Sequence, residues 1–474
     1  MVAAGYCGGY GWWPVIEYDN FLRSKLITTM PSGFKIDRDE LPNKLYCYQK
    51  DLVQWACMRG KSALFTMTGT GKTAMQVSWA DAVHRFTGGN VLILAPLAVA
   101  KQTVHEAAKF GINVHYTRSA DDIQSGINIT NYEILHHFDW CQWSGIALDE
   151  SSILKNYAGK LRNYIIDYAQ HIPYRLACTA TPAPNDFMEI GNHAEFLGIM
   201  SHTEMLATFF VHDGGETSKW RLKGHAEVKF WEWLASWGVF LTKPSDLGYS
   251  DEGFDLPGLH THQHIVQSEA PEGALFAFEV KGLQERQAAR RESMDRRVER
   301  CVDIVNSSPK PFLVWCDLNA GSEMLTKSIP GAVEIKGSDS PEHKEKTMLA
   351  FAVGQVPVLV SKPSICGFGM NFQVCSNTAF VGLSDSFEAI FQATKRFHRH
   401  GQVNDVHRHI IISEAEGSVL RNILRKEQDF MTMIGSMVEH TKLMSMDNIK
   451  HLHSEKIEYK ATAAPVFPAW LKGE

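Results

Sequence analysis

Apolar residues in this chain gather into short unbroken runs, and a segment of helical period follows most of them. Ala63-Leu-Phe65, Asn90-Val-Leu-Ile-Leu-Ala-Pro96, Gly126 to Glu133, Ser144-Gly-Ile-Ala-Leu-Asp-Glu150 and Tyr174 to Thr179 are too short for buried helices and lack the alternation of a half-exposed strand. Helical patterns lead up to Arg59 and cover 74–82, 100–110 and 159–170, so the runs are expected to be parallel strands with crossover helices on both faces. A second alternation begins at Pro311-Phe-Leu-Val-Trp-Cys316 and continues through Ala332 to Ile335, Val356 to Ser361, Thr378 to Leu383 and Val406 to Ile412. The expected fold class is α/β, with two tandem parallel-sheet domains and a helical insertion between them. The expected boundaries are 1–44, an N-terminal extension; 45–190, the first domain; 191–260, an aromatic-rich helical insertion and linker; 261–440, the second domain; and 441–474, a C-terminal tail.

Composition narrows the class. Of 474 residues, 44% are hydrophobic and 21% charged, which suits a folded protein with sizeable cores. A formal net charge of -6 argues against nucleic-acid binding through overall charge, yet leaves room for a local basic groove. Nine cysteines without a C-x-x-C pair read as free thiols in a reducing cytoplasm. Neither an export signal nor a bilayer-spanning run is found, so a cytoplasmic location without membrane attachment is expected.

Within 191–260, Trp220, Trp231, Trp233 and Trp237 with Phe209, Phe210, Phe230 and Phe240 are expected to form an aromatic core. His260, His262 and His264 alternate along one strand face, but no further cluster completes a ligand set and no structural metal is expected. The mixed charges from Gly282 to Ile304 read as a solvated helix face.

Chemistry concentrates at the end of the first run, Thr66-Met-Thr-Gly-Thr-Gly-Lys-Thr73. Gly69 and Gly71 let backbone N–H groups converge on a phosphate, Lys72 brings a mobile positive charge, and Thr73 offers a hydroxyl to magnesium. Thr66 stands where such loops often begin with glycine. About twenty residues upstream, the Gln49 amide both donates and accepts, as reading an adenine edge requires. The fourth run ends in Asp149-Glu150, suited to hold magnesium and to activate water. Hydroxyls at Thr179 and Thr181 are placed to bridge these carboxylates to another bound group. In the second alternation, Gly367-Phe-Gly-Met-Asn371 allows close backbone approach, and Arg396 and Arg399 share a helix face.

These stretches resemble, in order, the motifs of superfamily-two helicase-like ATPases of the Swi/Snf family, across roughly residues 45 to 430. Tyr48-Gln49, Thr68 to Thr73, Ala95-Pro96, Thr130-Asn-Tyr-Glu133, Asp149 to Asn156, Thr179 to Pro182 with Asn185, and Gly367 to Asn371 each match a motif. The string Gln392-x-x-x-Arg396-x-x-Arg399-x-Gly-Gln402 and the pair Lys155-Asn156 are the most discriminating. Ser152 departs from the family's usual histidine, so the link to the Thr179 turn is expected to run through a hydroxyl. The compact chain also resembles helicase-like proteins of tailed phages.

The resemblance implies two RecA-like, P-loop NTPase domains with ATP and Mg2+ between them. Gln49, Gly69, Thr70, Gly71, Lys72, Thr73 and Gly369 would bind nucleotide, and Thr73 with Asp149 the metal. Lys72, Glu150, Arg396 and Arg399 would be catalytic, with Thr179, Thr181 and Gln392 coupling hydrolysis to movement. Lys101, Thr130, Asn131, Ser361 and Asn371 would meet the phosphates of duplex or branched DNA. The implied activity is a DNA-stimulated ATPase that translocates on duplex DNA. The alternatives are a strand-separating replication or recombination helicase, and an ATP-binding clamp without turnover.

Overall fold

The computed structural model describes residues 29–155, 159–213, 216–267, 291–366, 371–384 and 386–453. The first domain contains β1 Lys61–Thr66, β2 Asn90–Ala95, β3 Val114–Tyr116, β4 Ile127–Asn131, β5 Trp143–Asp149 and β6 Tyr174–Thr179. A hairpin follows, β7 Phe210–Asp213 with β8 Glu216–Leu222, and then β9 Gly238–Leu241. The second domain contains β10 Leu259–Val266, β11 Phe312–Cys316, β12 Ala332–Glu334, β13 Val358–Ser361, β14 Asn377–Val381 and β15 Val406–Ser413. Among the described residues these make two parallel sheets, in the orders β3-β4-β2-β5-β6-β1-β9 and β10-β15-β14-β11-β13-β12.

The unbroken apolar runs are explained by burial on both faces. Ala63, Phe65, Leu92 and Leu94 enter one core of the first sheet, while Leu64, Val91 and Ile93 enter the core on its other side. The second sheet divides in the same way, with Leu313 and Trp315 on one side and Phe312, Val314 and Cys316 on the other. The two expected parallel-sheet domains are therefore present.

The intervening stretch is more than helices. Most of its tryptophans and phenylalanines bury together, Trp233 lying 5.2 Å from both Phe209 and Trp237, while Trp220 is only partly buried. It also forms the β7–β8 hairpin, and β9 pairs with β1 as the seventh strand of the first sheet. Phe34, Ile36 and Leu41 of the N-terminal extension pack into the first-domain core. Helix Gly417–His453 runs through residue 441 without a break. Its start packs in the second domain through Val419 and Ile423, and its far end reaches the first, where Asn448 Nδ2 donates to the Ala235 carbonyl at 3.3 Å.

The strand face carrying His260, His262 and His264 meets His407 and His409 of the adjacent β15. His262 Nε2 lies 3.0 Å from His407 Nδ1, and His264 Nε2 lies 3.1 Å from His409 Nδ1, so the rings form a hydrogen-bonded ladder. Among the described residues no group of three or more His, Cys, Asp or Glu side chains is arranged to hold a metal ion. One arginine of the charged helix is not solvated: Arg297 is buried and paired with the buried Glu416 at 3.7 Å. Among the described residues no helix is long and apolar enough to cross a membrane.

Candidate nucleotide-binding site

Parallel register brings the site together at one sheet edge. Asp149 at the end of β5 is level with Cys178 of β6, which is level with Leu64 of β1, so the three loops leave side by side. The loop after β1 turns through Gly69 and Gly71, whose φ angles of 96° and 81° lie in the left-handed region that favours glycine. Helix Lys72–Thr87 begins at once behind it and points its N–H groups at the loop.

Both glycines are also crowded. A Cβ on Gly71 would lie 2.1 Å from Gln49 Nε2, and one on Gly69 would lie 3.0 Å from the backbone nitrogen of His400 in the second domain. Gln49 is buried, with its amide engaged inside the protein. Nε2 donates to the Thr70 carbonyl at 2.9 Å, and Oε1 accepts from the Tyr46 amide at 2.9 Å. The Tyr48 hydroxyl donates to the same Thr70 carbonyl at 2.6 Å. Gln49 thus ties the loop after β1 to the start of its own helix, with both ends of its amide engaged inside the protein.

Lys72 Nζ stands 3.8 Å from Glu150 Oε2, and neither atom has a hydrogen-bond partner although both are buried. Glu150 adopts φ 55°, an uncommon conformation for a residue with a side chain, which aims it out of the strand line. Burial and then the neighbouring Glu150 charge push the Asp149 carboxyl upward, and Lys72 opposes them. The Tyr132 hydroxyl fixes the backbone here by donating to the Asp149 carbonyl at 2.6 Å.

The second domain closes over this edge. Arg396 is buried and donates to Gln392 through Nε at 3.3 Å and Nη2 at 3.2 Å. Its pKa is lowered by burial and raised in part by Glu150 and Asp149, whose fields it feels across the cleft. Arg399 donates to Asn371, and burial followed by repulsion from Arg396 brings its pKa down to about 10. Gln392 Nε2, Arg399 Nε and His400 Nδ1 are buried without partners. A cleft that strands the cationic Lys72 and these donors beside a glycine turn fits a polyphosphate. Thr73 and Asp149, both at this edge, offer the oxygen donors that magnesium takes.

The residues expected to meet DNA are placed differently from one another. Lys101 is exposed, and its ammonium pairs with Glu345 of the second domain at 3.0 Å. Thr130 and Ser361 are fully buried, so they present no surface to a phosphate backbone; Ser361 Oγ donates to the Ile335 carbonyl at 3.0 Å. Asn131 is also buried and donates to Glu133 at 2.7 Å, while Asn371 receives Arg399. Gly369 and Asn156 lie outside the described residues.

Thr179 Oγ1 accepts from the Thr181 amide at 3.1 Å, and Thr181 Oγ1 donates across the cleft to Glu388 Oε1 at 3.4 Å. The hydroxyl engaged behind the acidic pair is that of Ser151, 3.1 Å from Nε2 of the buried His193. Glu388 and His193 belong to no motif visible in the sequence, and Tyr132 and His400 lie inside matched motifs without being marked by them. The ring of Phe254, in the stretch read as a linker, stacks on His400 at 4.7 Å.

Residues 48–211 match the family model described as the SNF2-related domain. A comparison with curated proteins returns no match. Among solved structures, the Sulfolobus solfataricus SWI2/SNF2 ATPase core in complex with dsDNA is similar at 16% identity, over 88% of this chain and 99% of that chain, with a TM-score of 0.42. The matched segment holds the phosphate loop, the acidic pair and the Thr179 turn in one edge of one sheet. Residues 48–211 of the chain are accordingly similar to the SNF2-related domain.

Proposed function

We propose that the protein hydrolyses ATP in the cleft between its two sheets and uses closure and reopening of that cleft to move along duplex or branched DNA. One observation supports this above the others. Lys72 and Glu150 from the first domain face Arg396 and Arg399 from the second, with buried polar atoms on both sides left unpartnered.

In this reading the loop amides and Lys72 bind the phosphates. Thr73 and Asp149 hold magnesium, which when bound neutralises charge on the phosphate oxygens. Glu150, turned out by its backbone, accepts a proton from the attacking water. Arg396 and Arg399 then stabilise charge on the transferred group, an effect worth about 10³ to 10⁵ in rate where such arginines have been removed. The DNA reading rests on the motif resemblance, with Lys101 the expected contact that remains accessible. To reach a phosphate it must leave Glu345.

The test is steady-state ATP turnover with duplex, single-stranded and forked DNA, and RNA, at defined salt. Duplex DNA should stimulate most, and Lys72→Ala should abolish turnover. Turnover by Lys72→Ala, or an absence of stimulation by any DNA, would overturn the proposal. Unwinding of a tailed duplex would favour the strand-separating alternative.

A further inference from the structure

Arg396 and Arg399 do not share a helix face as expected: helix Phe387–Thr394 ends before them and leads into the turn that carries both, and it is docked on the first domain at its opposite end. Phe387 and Phe391 enter the first-domain core. Between them Glu388 makes two polar contacts across the cleft. One oxygen accepts from Thr181 Oγ1, and the other pairs with Lys155. Its side chain is only 12% exposed.

Those partners have telling positions. Lys155 closes the turn Ser151–Lys155 that follows directly on Asp149-Glu150, and Thr181 follows the end of β6. Glu388 therefore touches both segments leaving the acidic edge. It also lies four residues before Gln392, which holds Arg396. The carboxylate sits in the first helical turn, where the helix dipole favours negative charge. Glu189 is a second acid close enough to feel both Lys155 and Glu388, so Lys155 is the cation that balances the pair.

We propose that Glu388 is a positioning residue: by bridging Lys155 and Thr181 it sets the placement of the helix that leads into Arg396 and Arg399 relative to Glu150. This rests on the ATPase reading of the cleft. The two phenylalanines supply adhesion without direction, whereas a carboxylate bound to two fixed donors sets where along the helix axis the arginines stop. The helix ends at Thr394, about 9 Å along its axis from Glu388, and Arg396 lies in the turn just beyond, so a tilt at Glu388 displaces it by an ångström or more. Displacement of a reacting or stabilising group by about 1 Å can cost roughly 10²-fold in rate.

The test uses the full chain with Glu388→Ala, Glu388→Gln, Lys155→Glu and the double reversal Lys155→Glu/Glu388→Lys. Glu388→Ala should lower kcat for ATP by about 10-fold to 100-fold with KM little changed, because the arginines serve the transition state more than binding. Glu388→Gln should fall less. The double reversal should recover most of the loss seen in either single charge change. A simple structural role would lower the melting temperature without such rescue. Hydrogen exchange at amides 387–399, read without nucleotide, gives a second measure independent of turnover. Exchange should rise in Glu388→Ala and return toward wild type in the double reversal. Unchanged kcat and exchange in Glu388→Ala, or no recovery in the double reversal, would overturn the inference. Absence of turnover in the wild type would instead overturn the ATPase reading and leave the exchange measurement to decide this one.

Discussion

Replacement of Gln49 separates two roles that the same amide could have. In the structure Gln49 makes a buried 2.9 Å bond to the Thr70 carbonyl and accepts a part-buried one of 2.9 Å from the Tyr46 amide. Gln49→Leu keeps most of the volume and removes both bonds. At about 0.5–1.5 kcal/mol net for each neutral hydrogen bond, the loss should total about 1–3 kcal/mol. Tyr46 is exposed, so water can reach its freed amide and the lower half of that range is expected. The Thr70 carbonyl keeps its 2.6 Å bond from the Tyr48 hydroxyl, so the loop should loosen without unfolding. Urea denaturation reads the stability. Calorimetric titration with ATP and with tripolyphosphate, which has no base, reads the loop. Both ligands should weaken by the same factor, about 10-fold for each 1.4 kcal/mol transferred to the loop. An unchanged urea midpoint with weakening confined to ATP would refute this reasoning and return Gln49 to adenine recognition.

Thr130→Val removes a buried hydroxyl without a partner, and should change stability by less than about 0.5 kcal/mol and leave DNA affinity unaltered; weaker DNA binding in a filter or anisotropy assay would show that the residue reaches the backbone. Trp233→Ala, at the centre of the aromatic cluster, should cost about 3–5 kcal/mol in urea denaturation, and a loss under 1 kcal/mol would contradict its burial. Burial and then the neighbouring imidazoles bring the His409 pKa down from 6.5 to about 4, so the unfolded chain takes up a proton first as pH falls. Stability from this group is full above 6.5 and is lost as pH drops toward 4. Wild type should therefore lose on the order of 1–2 kcal/mol more than His409→Gln between pH 7 and 4.5, a range that allows for solvent screening of the half-exposed ladder. Parallel pH profiles would exclude the ladder as the cause.

The amino-acid sequence determined the elements whose cause is local. Runs such as Val91 to Ala95 could only be strands covered on both faces, and each of the larger strands expected in the two alternations is present. Gly69 and Gly71 mark the loop because few other residues accept its left-handed φ angles, and the acidic pair is visible because it ends an apolar run. The strand β9 escaped notice because Gly-Val-Phe-Leu sits among many aromatics, and only pairing with β1 distinguishes it from them. Burial of Thr130 and Ser361 was equally hidden, since a hydroxyl at a strand end can point inward or outward.

Tertiary structure alone decided the partners. Lys155 and Glu388 are 233 positions apart, and Lys101 and Glu345 are 244 apart. Neither pair obeys any local period, because a contact between two domains is set by how the sheets face each other. The same holds for Gln49, whose residue type suits a base edge and a carbonyl equally well. Its bond to the Thr70 carbonyl exists only once helix and loop have packed.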